Sequence, residues 1–113
     1  MLSRQNCARL FFWMSIVLGL ALIKNARADE GKTIFLSKCA KCHNVNPTKP
    51  GSIGPDIADS SLELVRLKTQ NRSYPAGYTP KRKTRVMPIV KLSESQIKAV
   101  HSYISSFKKS KTR

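Results

Sequence analysis

Five consecutive residues, Cys39-Ala40-Lys41-Cys42-His43, constrain this chain more than any other part of it. With 3 Cys and 2 His in 113 residues, the motif uses most of the soft ligands available. Cysteines three apart on a helical turn point the same way, and the histidine that follows stands beside them. Cys39 and Cys42 joined to each other would close too small a loop to stabilise a fold, because that gain grows with loop length. The spacing therefore suits an object that both sulfurs and an imidazole reach together.

The amino terminus indicates where such an object would be fitted. Arg4 and Arg9 precede the apolar run Leu10–Ile23, which is short for a membrane span of about 20 residues and suits the core of a secretory leader. Ala26-Arg27-Ala28 follows as an A-x-A cleavage pattern, so residues 1–28 are expected to be a cleaved signal peptide and residues 29–113 the working domain. The competing reading is an uncleaved amino-terminal anchor. Either places the domain outside the cytoplasm: periplasmic, and membrane-associated if the leader stays. Cleavage removes four cations (Arg4, Arg9, Lys24 and Arg27) and no acid. The net charge of +15 thus becomes +11 over 85 residues. A domain of that size buries a modest core and calls for a staple such as a metal or cofactor.

Patterning within residues 29–113 predicts helices and no strands. Acids at Asp29-Glu30 favour a helix start, and a helix is expected over about Lys32–Cys42, with Phe35, Cys39 and Cys42 on one face. Ser60 or Ser61 is placed to cap a short helix ending near Asn71, with Leu62, Val65 and Leu64 as inward contacts. Ser93-Glu94-Ser95-Gln96 is a capping-box pattern opening a helix to about Phe107. On it Ile97, Val100, Ile104 and Phe107 form one stripe, with Tyr103 at its edge and His101 at its rim. The segments between are rich in Pro and Gly, and must be loops. Loops that long in so small an all-α domain make sense if they wrap something other than protein.

C-x-x-C-H in an exported chain reads first as covalent haem attachment. Two sulfurs reach the two vinyl groups on one porphyrin edge, and the next residue lies beneath the ring centre. Cys39 and Cys42 are thus expected as thioethers and His43 as an axial iron ligand. Structural zinc would require four Cys or His ligands, and only His101 is left to add. A thioredoxin-like pair would need a βαβ pattern, which is absent.

At these residues the chain resembles the class I, monohaem c-type cytochromes. "GKTIFLSKCAKCH" is similar to that family's first helix, "GPDI" (Gly54–Ile57) to its proximal segment, Met87-Pro88 to its distal-ligand motif, and "LSESQIKAVHSYI" to its last helix. The resemblance implies the small cytochrome c fold of three to four helices around one covalent haem c. It also implies that the Pro55 carbonyl accepts a hydrogen bond from His43 Nδ1–H. Met87 as the second axial ligand follows both from the resemblance and from its being the sole methionine after residue 28. A departure from the smaller members is the stretch before Met87. Its Tyr74 and Tyr78 either line the haem edge or pack on each other or on a proline.

Iron ligated by His and Met is saturated by protein, which favours one-electron transfer over substrate chemistry. The expected function is an exported shuttle between respiratory or periplasmic redox partners, and not an enzyme. The alternatives are a cytochrome subunit of a larger dehydrogenase, or a haem enzyme or gas sensor with a labile Met87. The run Lys81, Arg82, Lys83 and Arg85 points to an acidic redox partner (an oxidase, a dehydrogenase or another carrier) and makes an anionic membrane surface plausible. Export and the absence of a binding motif argue against nucleic acid. The chain is expected to be a monomer.

Overall fold

A computed structural model describes residues 4–108, which form four α-helices and, among those residues, no strand. Helix α1 (Arg4–Ile34) runs into a π-helical turn, Phe35–Cys39, and then into α2 (Ala40–His43). Helices α3 (Leu62–Asn71) and α4 (Glu94–Ser105) follow, separated by irregular segments.

The first helix begins far earlier than the sequence pattern places it. Nothing between Leu10 and Ile34 carries a Pro or a strong stop, so the apolar run and the domain's first helix are one continuous element. Leu10, Phe11, Phe12, Trp13 and Met14 stand exposed on it. No helix among the described residues is long and apolar enough to cross a membrane.

The core forms where the carboxyl-terminal end of α1 crosses α4. Ile34, Phe35, Leu92, Ile97, Val100 and Ile104 are buried together, and Cys39, Ile57, Val65 and Val90 pack against them. Gly31 is what lets the two helices approach, because a Cβ there would overlap the Ala99 carbonyl. That contact also explains why Ala99, outside the expected stripe, is buried. Phe107 lies just beyond α4 and packs edge-on against Tyr103, with ring centroids 5.2 Å apart.

Local signals set the other helix ends. The Ser61 hydroxyl accepts from Leu64 N–H at 3.1 Å and starts α3. Leu64 is buried and Leu62 and Val65 pack half-buried against the core, as expected; Thr69, which the pattern does not mark, is buried as well. The capping box of α4 is complete, with Ser93 Oγ accepting from Gln96 N–H and Gln96 Oε1 from Ser93 N–H. Helix α3 ends on Arg72 in the left-handed region (φ 57°, ψ 24°), a position the sequence does not mark because glycine usually fills it.

Candidate functional site

Cys39, Cys42 and His43 arrive on the last turns of the α1–α2 helical stretch. The π turn that ends at Cys39 adds one residue to the helical turn, with Ala40 N–H donating to the Phe35 carbonyl five positions back. Cys39 and Cys42 are unpaired thiols. Burial pushes the Cys39 thiol up to about 11, a rise that neighbouring Lys38 only partly offsets. A thiol held that high is a poor redox nucleophile, which counts against a disulfide-exchange pair.

The chain turns sharply after His43. Asn44 has φ 76° and ψ 145°, a conformation normally left to glycine, and its side chain braces the turn. Asn44 Oδ1 accepts from Asn46 N–H at 3.0 Å, and Nδ2 donates to the Pro50 carbonyl at 3.2 Å. The loop then folds back on the motif. Gly54 N–H donates to the Cys42 carbonyl at 2.8 Å, Gly51 N–H to the Gly54 carbonyl at 2.9 Å, and Ile57 and Ala58 N–H both donate to the carbonyl of buried Pro47.

Two glycines permit this closeness. A Cβ on Gly51 would overlap the Cys42 carbonyl, and one on Gly54 would overlap the His43 ring at Nδ1, Cε1 and Cγ. His43 therefore rests against bare backbone. Its Nδ1 is 2.8 Å from the Pro55 carbonyl. A carbonyl can only accept, so Nδ1 carries the proton, and in the neutral ring Nε2 keeps the lone pair.

Met87 is half-buried in the long segment between α3 and α4, tethered on both sides to the end of α3. Arg72 Nη2 donates to the Arg85 carbonyl at 2.5 Å, and Val90 N–H to the Thr69 carbonyl at 2.9 Å. The structure thus brings Cys39, Cys42, His43 and Pro55 into one cluster and relates Met87 to α3. Tyr78 stacks on Tyr74, centroids 5.5 Å apart and 10° between planes, with Lys68 Nζ 4.2 Å over the Tyr74 ring. Half-buried His101 has Nε2 3.1 Å from the Ser60 carbonyl and 3.2 Å from Ser105 Oγ, so it ties α4 to the entry of α3.

The run of cations before Met87 divides in two. Lys81 Nζ donates to the Asp56 carbonyl (3.1 Å), Asp56 Oδ2 (2.7 Å) and Asp59 Oδ1 (2.8 Å). Arg82 donates from Nη1 to the Ile53 carbonyl (2.8 Å) and from Nη2 to the Gly51 carbonyl (3.1 Å). Lys83 and Arg85 remain exposed. The Lys81 hydrogen bond holds the Asp56 carboxyl below its usual range. Burial pulls the Lys81 ammonium down, yet the Asp56 and Asp59 hydrogen bonds outweigh it and its pKa is raised. The sequence signal for these tethers is slight, since three of the five acceptors are backbone carbonyls that any residue supplies.

The donor set fits haem c: two thiols within one helical turn, an imidazole whose tautomer leaves Nε2 available, and a glycine cradle that holds the ring. Comparison with curated proteins gave no match, nor did comparison with solved structures. The family model for cytochrome c matches residues 28–108. A match over that much of the chain, together with the Cys39–His43 motif, identifies the cofactor as covalently bound haem c, and the protein belongs to the cytochrome c family.

Proposed function

We propose that this electron-transfer haem protein, of a family whose members are typically carriers rather than enzymes, is an exported shuttle for single electrons, with Cys39 and Cys42 as the haem thioethers and His43 and Met87 as the axial ligands. The observation that carries this reading is the His43 arrangement: Gly54 fixes the ring and the Pro55 carbonyl accepts a hydrogen bond from Nδ1–H, so the lone pair of Nε2 is the one offered. The haem supplies reversible one-electron exchange at its iron. The residues do the rest: Pro55 raises the basicity of His43 through the Nδ1–H bond, and the thioether of Met87 favours the reduced state.

The test is the ferrous spectrum of the matured protein with and without carbon monoxide. A c-type spectrum that carbon monoxide leaves unchanged fits a carrier with both axial positions held. A shift would move the reading to a sensor or enzyme in which Met87 yields, and absence of covalent haem would sink both.

The partner in this reading is an acidic redox protein, approached by a periplasmic monomer. Lys38 and Lys41 beside the thiols and Lys83 and Arg85 beside Met87 are all exposed, so cations flank both stretches of the proposed site. Charge reversal of Lys83 and Arg85 should lower the bimolecular rate with an acidic redox protein about tenfold at low salt and flatten its salt dependence. An unchanged rate would remove these residues from docking, and co-purification with a dehydrogenase would mark the protein as a subunit instead. An anionic membrane surface would be served by the same charges.

A further inference from the structure

Lys81 and Arg82 look in sequence like half of a docking patch, but their side chains fold back along the surface onto the 51–59 loop. Their acceptors lie at positions 51, 53, 56 and 59. The peptide they bracket is Gly54-Pro55, against which His43 lies and to whose carbonyl its Nδ1–H donates. The Ile53 carbonyl just before this peptide is held by Arg82, and the Asp56 carbonyl just after it by Lys81. Two adjacent cations thus grip the backbone on either side of the His43 acceptor.

We infer that Lys81 and Arg82 are positioning residues for His43, acting through the loop that carries Pro55. The inference rests on the proposed role of His43 as axial ligand. The clamp also joins two otherwise separate loops, because Lys81 and Arg82 belong to the segment that leads to Met87. A carbonyl pinned on both flanks keeps the Nδ1–H bond short and directed, and so keeps the imidazole strongly electron-donating. Loosening the clamp frees Pro55 to drift, weakens that bond and makes the oxidised iron less well supported. The reduction potential then rises.

The arrangement separates these two cations from their neighbours. Lys83 and Arg85 face solvent and are available to a partner, while the donors of Lys81 and Arg82 are engaged by the loop that carries Pro55. Replacing each pair should therefore give different results: partner rates change for Lys83 and Arg85, and properties of His43 change for Lys81 and Arg82.

The experiment uses reduced holoprotein and reads solvent exchange of the His43 Nδ1 proton by NMR, alongside the potential. In wild type, ring-current-shifted His43 ring signals establish that it is the ligand. If they are unshifted, the axial assignment fails by itself, and the exchange rate still judges the clamp. Lys81→Ala and Arg82→Ala should each speed Nδ1–H exchange about tenfold and raise the potential. Arg82→Lys, which keeps one donor, should recover part of both. Arg66→Ala breaks an ion pair with Glu94 on the α3–α4 side and serves as the control for general loosening. It should leave the Nδ1–H exchange as in wild type. Lys81→Met provides a milder loss of charge if an alanine variant fails to mature. Exchange within twofold of wild type in the Lys81 and Arg82 variants, or an equal rise in Arg66→Ala, would overturn the proposal.

Discussion

His43 and Met87 are offered to the same proposed centre by segments of unlike construction. The His43 side is closed by backbone: Gly54 and Gly51 lie against the motif, the carbonyl of buried Pro47 accepts from two N–H groups, and Asn44 takes a strained φ to make the turn. On the other side, two tethers to the end of α3 hold the flanks of Met87, and Val86 and Ile89 on either side of Met87-Pro88 are exposed. One proposed ligand is built into a packed corner and the other is hung between two pins. Any lability at the centre therefore belongs to the Met87 side, because opening there breaks few contacts.

A paired glycine substitution breaks or sharpens this contrast most directly. Gly54→Ala places a methyl into the His43 ring, where both the ring and the backbone are held. It should cost about 3 kcal/mol in urea denaturation of the holoprotein and disturb the haem spectrum. Gly77→Ala meets open space, and only its positive φ of 76° opposes a side chain, so about 1 kcal/mol with no spectral change is expected. Equal losses would mean that the two sides are equally tight.

The smallest effect concerns pH. Asp56 is held below its usual range by Lys81, so its contribution is present at neutral pH and is lost as pH falls into and below the ordinary carboxylate range. The raised Lys81 contributes below the ordinary lysine range and loses that contribution as pH climbs above it. The stability gap between wild type and Lys81→Ala should thus be flat near neutrality and shrink at both extremes, as thermal unfolding would show. A gap independent of pH would mean that Lys81 acts only through the Asp56 carbonyl.

Much of the fold could be read from neighbours in sequence. Ser61 and the Ser93–Gln96 box cap their helices through bonds within one turn, so the pattern itself carries the geometry. The motif at Cys39–His43 was legible for the same reason. Contacts between distant segments were less so. Thr69 is buried on α3, its hydroxyl donating to the Val65 carbonyl and its own carbonyl accepting from Val90 N–H, a contact the periodicity of α3 does not announce. Tyr74 and Tyr78 were open between two arrangements, and the stack between them is one that spacing could not select. Lys81 and Arg82 read as surface because cations in a run are usually solvated, and their acceptors are largely carbonyls without a residue-type signature.

The π turn at Phe35–Cys39 has a consequence for how this protein could change. A π turn takes one residue more than an α turn, so everything beyond it lies about 100° from where an unbroken α-helix of the same sequence would place it. The turn therefore offsets the azimuth of the α1 face fitted to α4, at Gly31, Ile34 and Phe35, from that of the face bearing Cys39 and Cys42. Each face can be fitted to its own neighbour because the joint absorbs the mismatch in phase. Were the π turn to relax to regular α-helix with no residue removed, every motif residue would stay intact, yet both sulfurs would be aimed about 100° away from where the loops wait for them.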